Sequence, residues 1–292
     1  MKIASIDIGS NTILMQIAEK SESGKIKIIR DEHGIARLGA GINNTGKINE
    51  DAICRAEEIL KRFYHICETE NVDKIIPVGT SALRESKNSK EVILRLQKCI
   101  NKPEYVFVPE NYIIILSQEE EAMLSYVGAV ESFDKNNDET SIVIDIGGGS
   151  TEITFVKKTG IINIWTLGLG VVKLKDELGV KNEQPFSSET VSEVRNNILN
   201  RRKHSKKLIC DIHRNVKIIA ASGTPTALAG IALGVNEFDS NLIHKYHFEP
   251  TTFDNTANKV FDATIDELIN NYGIEPGRAD VLSVGTILLK TI

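Results

Sequence analysis

Apolar and β-branched residues open the chain as a run at 2–8, and a second run follows at 13–19. Between them sits Gly9-Ser10-Asn11-Thr12, which reads as a tight turn joining two strands. Residues 25–30 alternate as a third strand. At 49–70 the spacing changes: Ile53, Ala56, Ile59, Leu60, Phe63 and Cys67 make a helical stripe. A strand at 74–78 ends in Gly79-Thr80-Ser81, a helix follows at 89–100, a short apolar strand at 113–116, and a helix at 118–130. The polar stretch 134–139 reads as a linker. Past it the order restarts, with strands at 141–146, 151–157 and 161–167 and helices at about 172–178 and 187–202. A strand at 216–220 runs into Ser222-Gly223-Thr224, and 256–271 and 279–290 read as helices.

Strands alternating with helices in both halves predict an α/β protein. The restart predicts an internal duplication. Ile6-Asp7-Ile8-Gly9-Ser10-Asn11-Thr12 aligns with Ile144-Asp145-Ile146-Gly147-Gly148-Gly149-Ser150, an offset of 138 residues (145 − 7). A chain of 292 residues holds two domains comfortably, and the linker divides them into 1–134 and 135–292, the last helix being free to pack back on the first domain.

Composition narrows the function. A net charge of −5 argues against a general nucleic-acid binder. No 18-residue apolar run and no signal core occur, so the reading is a cytoplasmic protein without a membrane partner. Cys54, Cys67, Cys99 and Cys210 lack metal or redox spacing and read as thiols of a reducing compartment. The six histidines show no ligand spacing, although His244 and His247 stand three apart. The basic group Arg201-Arg202-Lys203 with Lys206 and Lys207 reads as a solvated helix end, with guidance of a polyanion as the sharper alternative.

A strand ending in Asp-x-Gly and small residues suits phosphate. Glycines let the backbone approach the ligand, and successive amides form an anion-binding concavity. Gly9, Gly147, Gly148 and Gly149 supply that backbone, and Ser10, Asn11, Thr12, Ser150 and Thr151 add hydroxyl or amide donors. Asp7 and Asp145 would repel phosphate directly and suit Mg²⁺ instead. A plain hairpin turn explains one copy about as well; two copies favour phosphate. Thr80, Ser81 and Arg84, and likewise Gly223 and Thr224, stand where a helix N-terminus would offer amides to an anion, with Arg84 as a planar clamp and Pro225 at the first helical position. The run Glu119-Glu120-Glu121 either complements a helix dipole or supplies a general base. Glu152, two residues past Ser150, shares its face if the strand alternates and could ligate metal or orient water.

Taken in order, these segments resemble the exopolyphosphatase / guanosine pentaphosphate phosphohydrolase (Ppx/GppA) family of the actin-like ATPase superfamily. They are Asp7–Thr12, Gly79–Arg84, Ser117–Ala122, Asp145–Glu152 and Ser222–Thr224. The resemblance covers nearly the whole chain. It implies two actin-like (ribonuclease H-like) domains with an interdomain cleft, a Mg²⁺ cofactor, and release of terminal orthophosphate from inorganic polyphosphate; Asp145 and Glu152, with Asp7 as a third, are the candidates to hold the metal. On the family pattern the catalytic glutamate is Glu120, with Glu152 the second and Glu121 beside it. Gln118 stands where the family usually carries glycine. The family also continues past a late helix, here at 278–282, into a further strand and a Gly-Leu-Arg-Glu-Gly-like segment. Alternatives of the same resemblance are a guanosine pentaphosphate (pppGpp) 5′-phosphohydrolase, a kinase of the same superfamily, and a non-catalytic polyphosphate- or nucleotide-sensing module. A homodimer is carried as a candidate assembly.

Overall fold

The computed structural model describes residues 1–100, 113–131, 140–157, 160–179, 185–201, 216–236 and 239–292. The linker expected at 134–139 and most of the basic group at 201–207 lie outside them. The chain packs as two compact units, Met1–Glu121 and Ala122–Ile292.

The first unit is built on a five-stranded sheet. Its strands are β1 (Lys2–Ile8), β2 (Thr12–Lys20), β3 (Ile26–Ile35), β4 (Lys74–Gly79) and β5 (Ile114–Ile115), in the order β3-β2-β1-β4-β5. The first three are antiparallel neighbours; β4 runs parallel to β1, and β5 parallel to β4. Alternation decides the faces. Ala4, Ile6 and Ile8 of β1 and Ile13, Met15 and Ile17 of β2 are buried, whereas Ser5, Leu14 and Gln16 stay exposed.

The core those residues form also takes in two helices. Ala52, Ile53, Ala56, Leu60, Phe63 and Cys67 come from α2 (Glu50–Thr69), and Val92 and Leu96 from α4 (Ser89–Cys99). Asn49 starts α2 by accepting the Ala52 N–H through its side chain at 2.9 Å. Two short helices, α1 (Ile42–Thr45) and α3 (Ser81–Glu85), sit beside the strand ends, and α5 (Gln118–Glu131) begins just after β5.

The second unit repeats the plan. Its strands β6 (Thr140–Ile146), β7 (Thr151–Lys157), β8 (Gly160–Leu167) and β9 (Val216–Ala221) order as β8-β7-β6-β9, with β6 antiparallel to β7 and parallel to β9. The described helices are α6 (Val171–Leu178), α7 (Ser188–Arg201), α8 (Gly223–Leu233), α9 (Ser240–Ile243), α10 (Pro250–Asp262), α11 (Ile265–Asn270) and α12 (Pro276–Thr291). The α12 helix is the axis of this unit. Residues 279–288 are all buried, because the helix is packed by α6, α7, α8, α10 and α11. Its Asp280 takes the Lys175 ammonium of α6 at 2.6 Å.

The sequence expectation changes at two helices. The helix expected over 256–271 is two helices, because Thr264 and Glu267 form a reciprocal capping box that starts α11. Pro225 is not the first helical residue but the third, since α8 begins at Gly223. Among the described residues no helix is long and apolar enough to cross a membrane.

Candidate functional site

The turn between β1 and β2 is closed by the Gly9 N–H donating to the Thr12 carbonyl at 3.1 Å. A Cβ on Gly9 would lie 2.7 Å from that oxygen, so a side chain there would push the turn open. Ser10 and Asn11 are buried because a neighbouring loop takes up their carbonyls. The Gly39 N–H donates to Ser10 O at 2.7 Å, and the Ala36 and Arg37 N–H groups donate to Asn11 O at 3.1 and 2.9 Å. Arg37 holds a left-handed φ of 56° to make this approach. Nothing in the sequence pattern marked Arg37, since only the fold brings 36–39 against the turn.

The Ser10 hydroxyl accepts the Ala82 N–H at 3.1 Å and so caps α3 from across the sheet. Thr80 and Ser81 are buried beside it, and the Ser81 hydroxyl donates to Glu85 at 2.8 Å. Arg84, at the end of α3, donates to the Leu116 carbonyl at 2.8 Å and to Glu121 Oε2 at 3.0 Å. These bonds place the start of α5. There Ser117 and Glu120 form a second capping box. Glu120 Oε2 accepts the Ser117 N–H at 2.8 Å, and Ser117 Oγ accepts the Glu120 N–H at 3.1 Å. The Ser117 amide, then its hydroxyl, hold the Glu120 carboxyl below its ordinary value. Of the three glutamates, Glu121 is engaged by Arg84, Glu119 is exposed, and Glu120 is fixed through one oxygen.

In the second unit the equivalent turn is closed by the Gly147 N–H donating to Ser150 O at 3.0 Å. The carbonyls of Gly147 and Gly148 accept from the first amides of α6. Val171 N–H donates to the former at 3.0 Å, and Val172 and Lys173 N–H to the latter at 2.9 and 3.1 Å. In a trans peptide the N–H points opposite to the C=O. The Gly148 and Gly149 amides are therefore turned away from α6, and successive amides of this kind make an anion-binding concavity. Gly170 permits the approach: a Cβ on it would fall 2.3 Å from the backbone of Gly148 and Gly149. Ser150 and Thr151 are buried, and the Thr151 hydroxyl donates to the Leu169 carbonyl at 2.6 Å.

At the base of this hairpin Asp145 and Glu152 are direct cross-strand partners, so both carboxylates project to one face. Glu152 is only 2% exposed. Asp145 accepts hydroxyl hydrogen bonds from Ser125 of α5 and from Ser222, the residue before α8. Thr224 is buried in the first turn of α8, close to Gly285 of α12. Neither serine partner of Asp145 was legible from spacing, since they lie 20 and 77 residues away.

Two adjacent carboxylates match the donor set that Mg²⁺ takes from proteins; its remaining ligands are usually water and phosphate oxygens. Among the described residues no group of three or more His, Cys, Asp or Glu could hold a metal. Asp145 and Glu152 thus fit an ion that shares its coordination with a phosphate ligand, rather than an all-protein cage. Asp7 occupies the Asp145 position of the other unit, and its cross-strand partner is Leu14.

Sheets of this order, each with a glycine-bearing hairpin at its first strands, define an actin-like α/β protein. The chain matches the Ppx/GppA phosphatase family over residues 16–292 and belongs to it. It is 29% identical to a bifunctional 3-dehydroquinate synthase/phosphatase of Fusobacterium nucleatum, covering 99% of this chain and 42% of that protein. It is 24% identical to exopolyphosphatase 2 of Mycobacterium tuberculosis, covering 100% and 89%. A guanosine-5′-triphosphate,3′-diphosphate pyrophosphatase of Pseudoalteromonas atlantica is 25% identical, with 98% and 52% covered. The chain therefore spans less than half of the first relative and about half of the last. Among solved structures, an exopolyphosphatase from Cytophaga hutchinsonii superimposes with a TM-score of 0.84 at 25% identity, covering 100% of this chain and 89% of that one.

Proposed function

We propose that the chain releases terminal orthophosphate from inorganic polyphosphate with the help of Mg²⁺ and a glutamate-activated water. One observation carries the reading: the Gly148 and Gly149 amides, turned away from α6, belong to the hairpin turn whose base carries the Asp145–Glu152 carboxylate pair. Amides that attract an anion beside carboxylates that attract a cation suit a Mg²⁺–phosphate complex better than either ion alone.

In this reading the loops at 9–12 and 147–151 bind phosphate oxygens, as do the helix starts at Thr80–Ser81 and Gly223–Thr224. Arg84 is held by Leu116 and Glu121 at the same end of the first unit. Asp145 and Glu152, with Asp7 as a third candidate, would hold Mg²⁺. Held there, the ion would supply neutralisation of the phosphate charge and polarisation of the phosphoryl group. Glu120 takes the proton of the attacking water. Its Oε2 accepts the Ser117 N–H, which orients the group. Catalysis is then positioning and electrostatic neutralisation.

The test is release of orthophosphate from polyphosphate, assayed with Mg²⁺ and with chelator, and with pppGpp in parallel. Metal-dependent release from polyphosphate is expected. Glu120→Gln should lower kcat by about 10²–10⁴-fold with polyphosphate binding retained. Wild-type turnover in that variant would remove Glu120 from the base role. The pppGpp reading is favoured by the Pseudoalteromonas relative, and release from pppGpp alone would establish it. Binding of polyphosphate without release from either substrate would point to a sensing module.

A further inference from the structure

The two units differ in the residue that follows the parallel strand. After β4 stands Thr80, with an extended φ of −116°. After β9 stands Ser222, with φ 80° and ψ −171°. That region is open to glycine and strained for any residue with a Cβ, and such strain persists where the surrounding structure makes use of it. Ser222 does not use its side chain in the way an N-cap serine usually does. It makes no bond to the first amides of α8; its hydroxyl donates to Asp145 Oδ1. From the other side Ser125, inside α5, donates to Asp145 Oδ2. Each carboxylate oxygen offers two lone pairs, so one hydroxyl on each leaves a second lone pair on each for another ligand.

We propose that Ser125 and Ser222 are positioning residues. Together they form a two-hydroxyl clamp that fixes the Asp145 carboxylate, so that its remaining lone pairs are presented to a divalent cation in one orientation. The strained backbone of Ser222 is retained because it delivers that hydroxyl. Glycine would relieve the strain and lose the clamp. The inference rests on the reading of Asp145 as a cation ligand.

The experiment compares the wild type with Ser222→Gly, Ser222→Ala and Ser125→Ala. Both Ser222 variants lack the hydroxyl, but only alanine keeps the Cβ in the strained region. Thermal melts in chelator should therefore place Ser222→Gly above Ser222→Ala. Calorimetric titration with Mg²⁺ in a background of orthophosphate should show all three variants weakened, on the order of tenfold, the usual loss when a partner that orients a ligand is removed. With polyphosphate, kcat should fall alike in the two Ser222 variants while KM moves less than about twofold.

A merely structural role would make Mg²⁺ affinity and kcat follow the melting order, with Ser222→Gly better than Ser222→Ala; that result overturns the clamp. So does Mg²⁺ affinity at the wild-type level in Ser222→Gly, or a wild type that binds no Mg²⁺. Ser125→Ala keeps a good helix former inside α5 and supplies an independent reading should either Ser222 variant fail to fold. Mg²⁺ binding needs no turnover. The calorimetric comparison therefore decides the clamp even where polyphosphate yields no phosphate, an outcome that counts against the proposed reaction instead.

Discussion

Glu120 is held by two bonds to one residue, and those bonds make its behaviour with pH testable. The Ser117 amide is the larger cause and the Ser117 hydroxyl the smaller; both favour the ionised carboxylate and depress its pKa below 4.5. A depressed folded pKa means that the cap's contribution is present above the unfolded value and is lost as pH falls through the folded one. In Glu120→Gln the amide oxygen can still accept the Ser117 N–H, but nothing titrates. The melting temperature of the wild type relative to this variant should thus be constant from neutral pH down to about 5 and shift against the wild type below 4.5. A difference that stays constant through acid would show that the cap does not titrate with Glu120. The signature of this cap, Ser-x-x-Glu, stands openly at Ser117–Glu120. The acidic run could be read as a helix start, and what spacing could not show is that Glu121 is engaged by Arg84. Arg84 reaches Glu121 only because α3 lies beside the start of α5.

At the scale of elements, the glycine hairpin of the second unit and the start of α6 form one structure, with Gly170 as the joint. Its backbone is extended, φ −116° and ψ 166°, and suits any residue; its requirement is the missing Cβ. Gly170→Ala would drive a methyl group into the backbone of Gly148 and Gly149, which cannot yield as a side chain tip can. The expected cost is about 1–3 kcal/mol in denaturant unfolding, with phosphate binding weakened because the loop amides are displaced. Gly168→Ala is the control, since nothing lies within 4 Å of its Cβ position. Equal stability of the two variants would mean that the loop does not lean on Gly170. The strands and long helices were largely legible, because period and caps agree. Asn49 starts α2 as expected, and Thr151–Lys157 is a strand over the full predicted range. The errors came where a polar side chain breaks a smooth apolar pattern. Thr264 splits the helix expected at 256–271, and after Ser222 the helix α8 begins at Gly223, two residues before Pro225. The strand expected at 113–116 pairs with β4 only over Ile114–Ile115.

For the whole molecule, the duplication is real in topology and unequal in chemistry. Strands β1, β2, β3 and β4 correspond to β6, β7, β8 and β9, and the offset of 138 residues holds across each hairpin: Asp7 pairs with Leu14 where Asp145 pairs with Glu152. Leu14 is 44% exposed and carries no charge, whereas Glu152 is buried beside the second aspartate. Ser10 caps α3 in the first unit, while its counterpart Gly148 has no side chain and turns its amide outward. On the proposed reading the first hairpin holds an anion and the second an anion with a cation. Two equivalent aspartates should then respond differently to the same change. Asp145→Asn removes one of two adjacent carboxylates and should weaken Mg²⁺ binding by tenfold or more, on the order expected for loss of a direct ligand. Asp7→Asn, with leucine as its strand partner, should change Mg²⁺ affinity in calorimetry by less than about threefold and act mainly through KM for polyphosphate. Equal losses of Mg²⁺ affinity in the two variants would mean that both copies hold the metal, and that the substitution of leucine for glutamate at position 14 did not divide their roles.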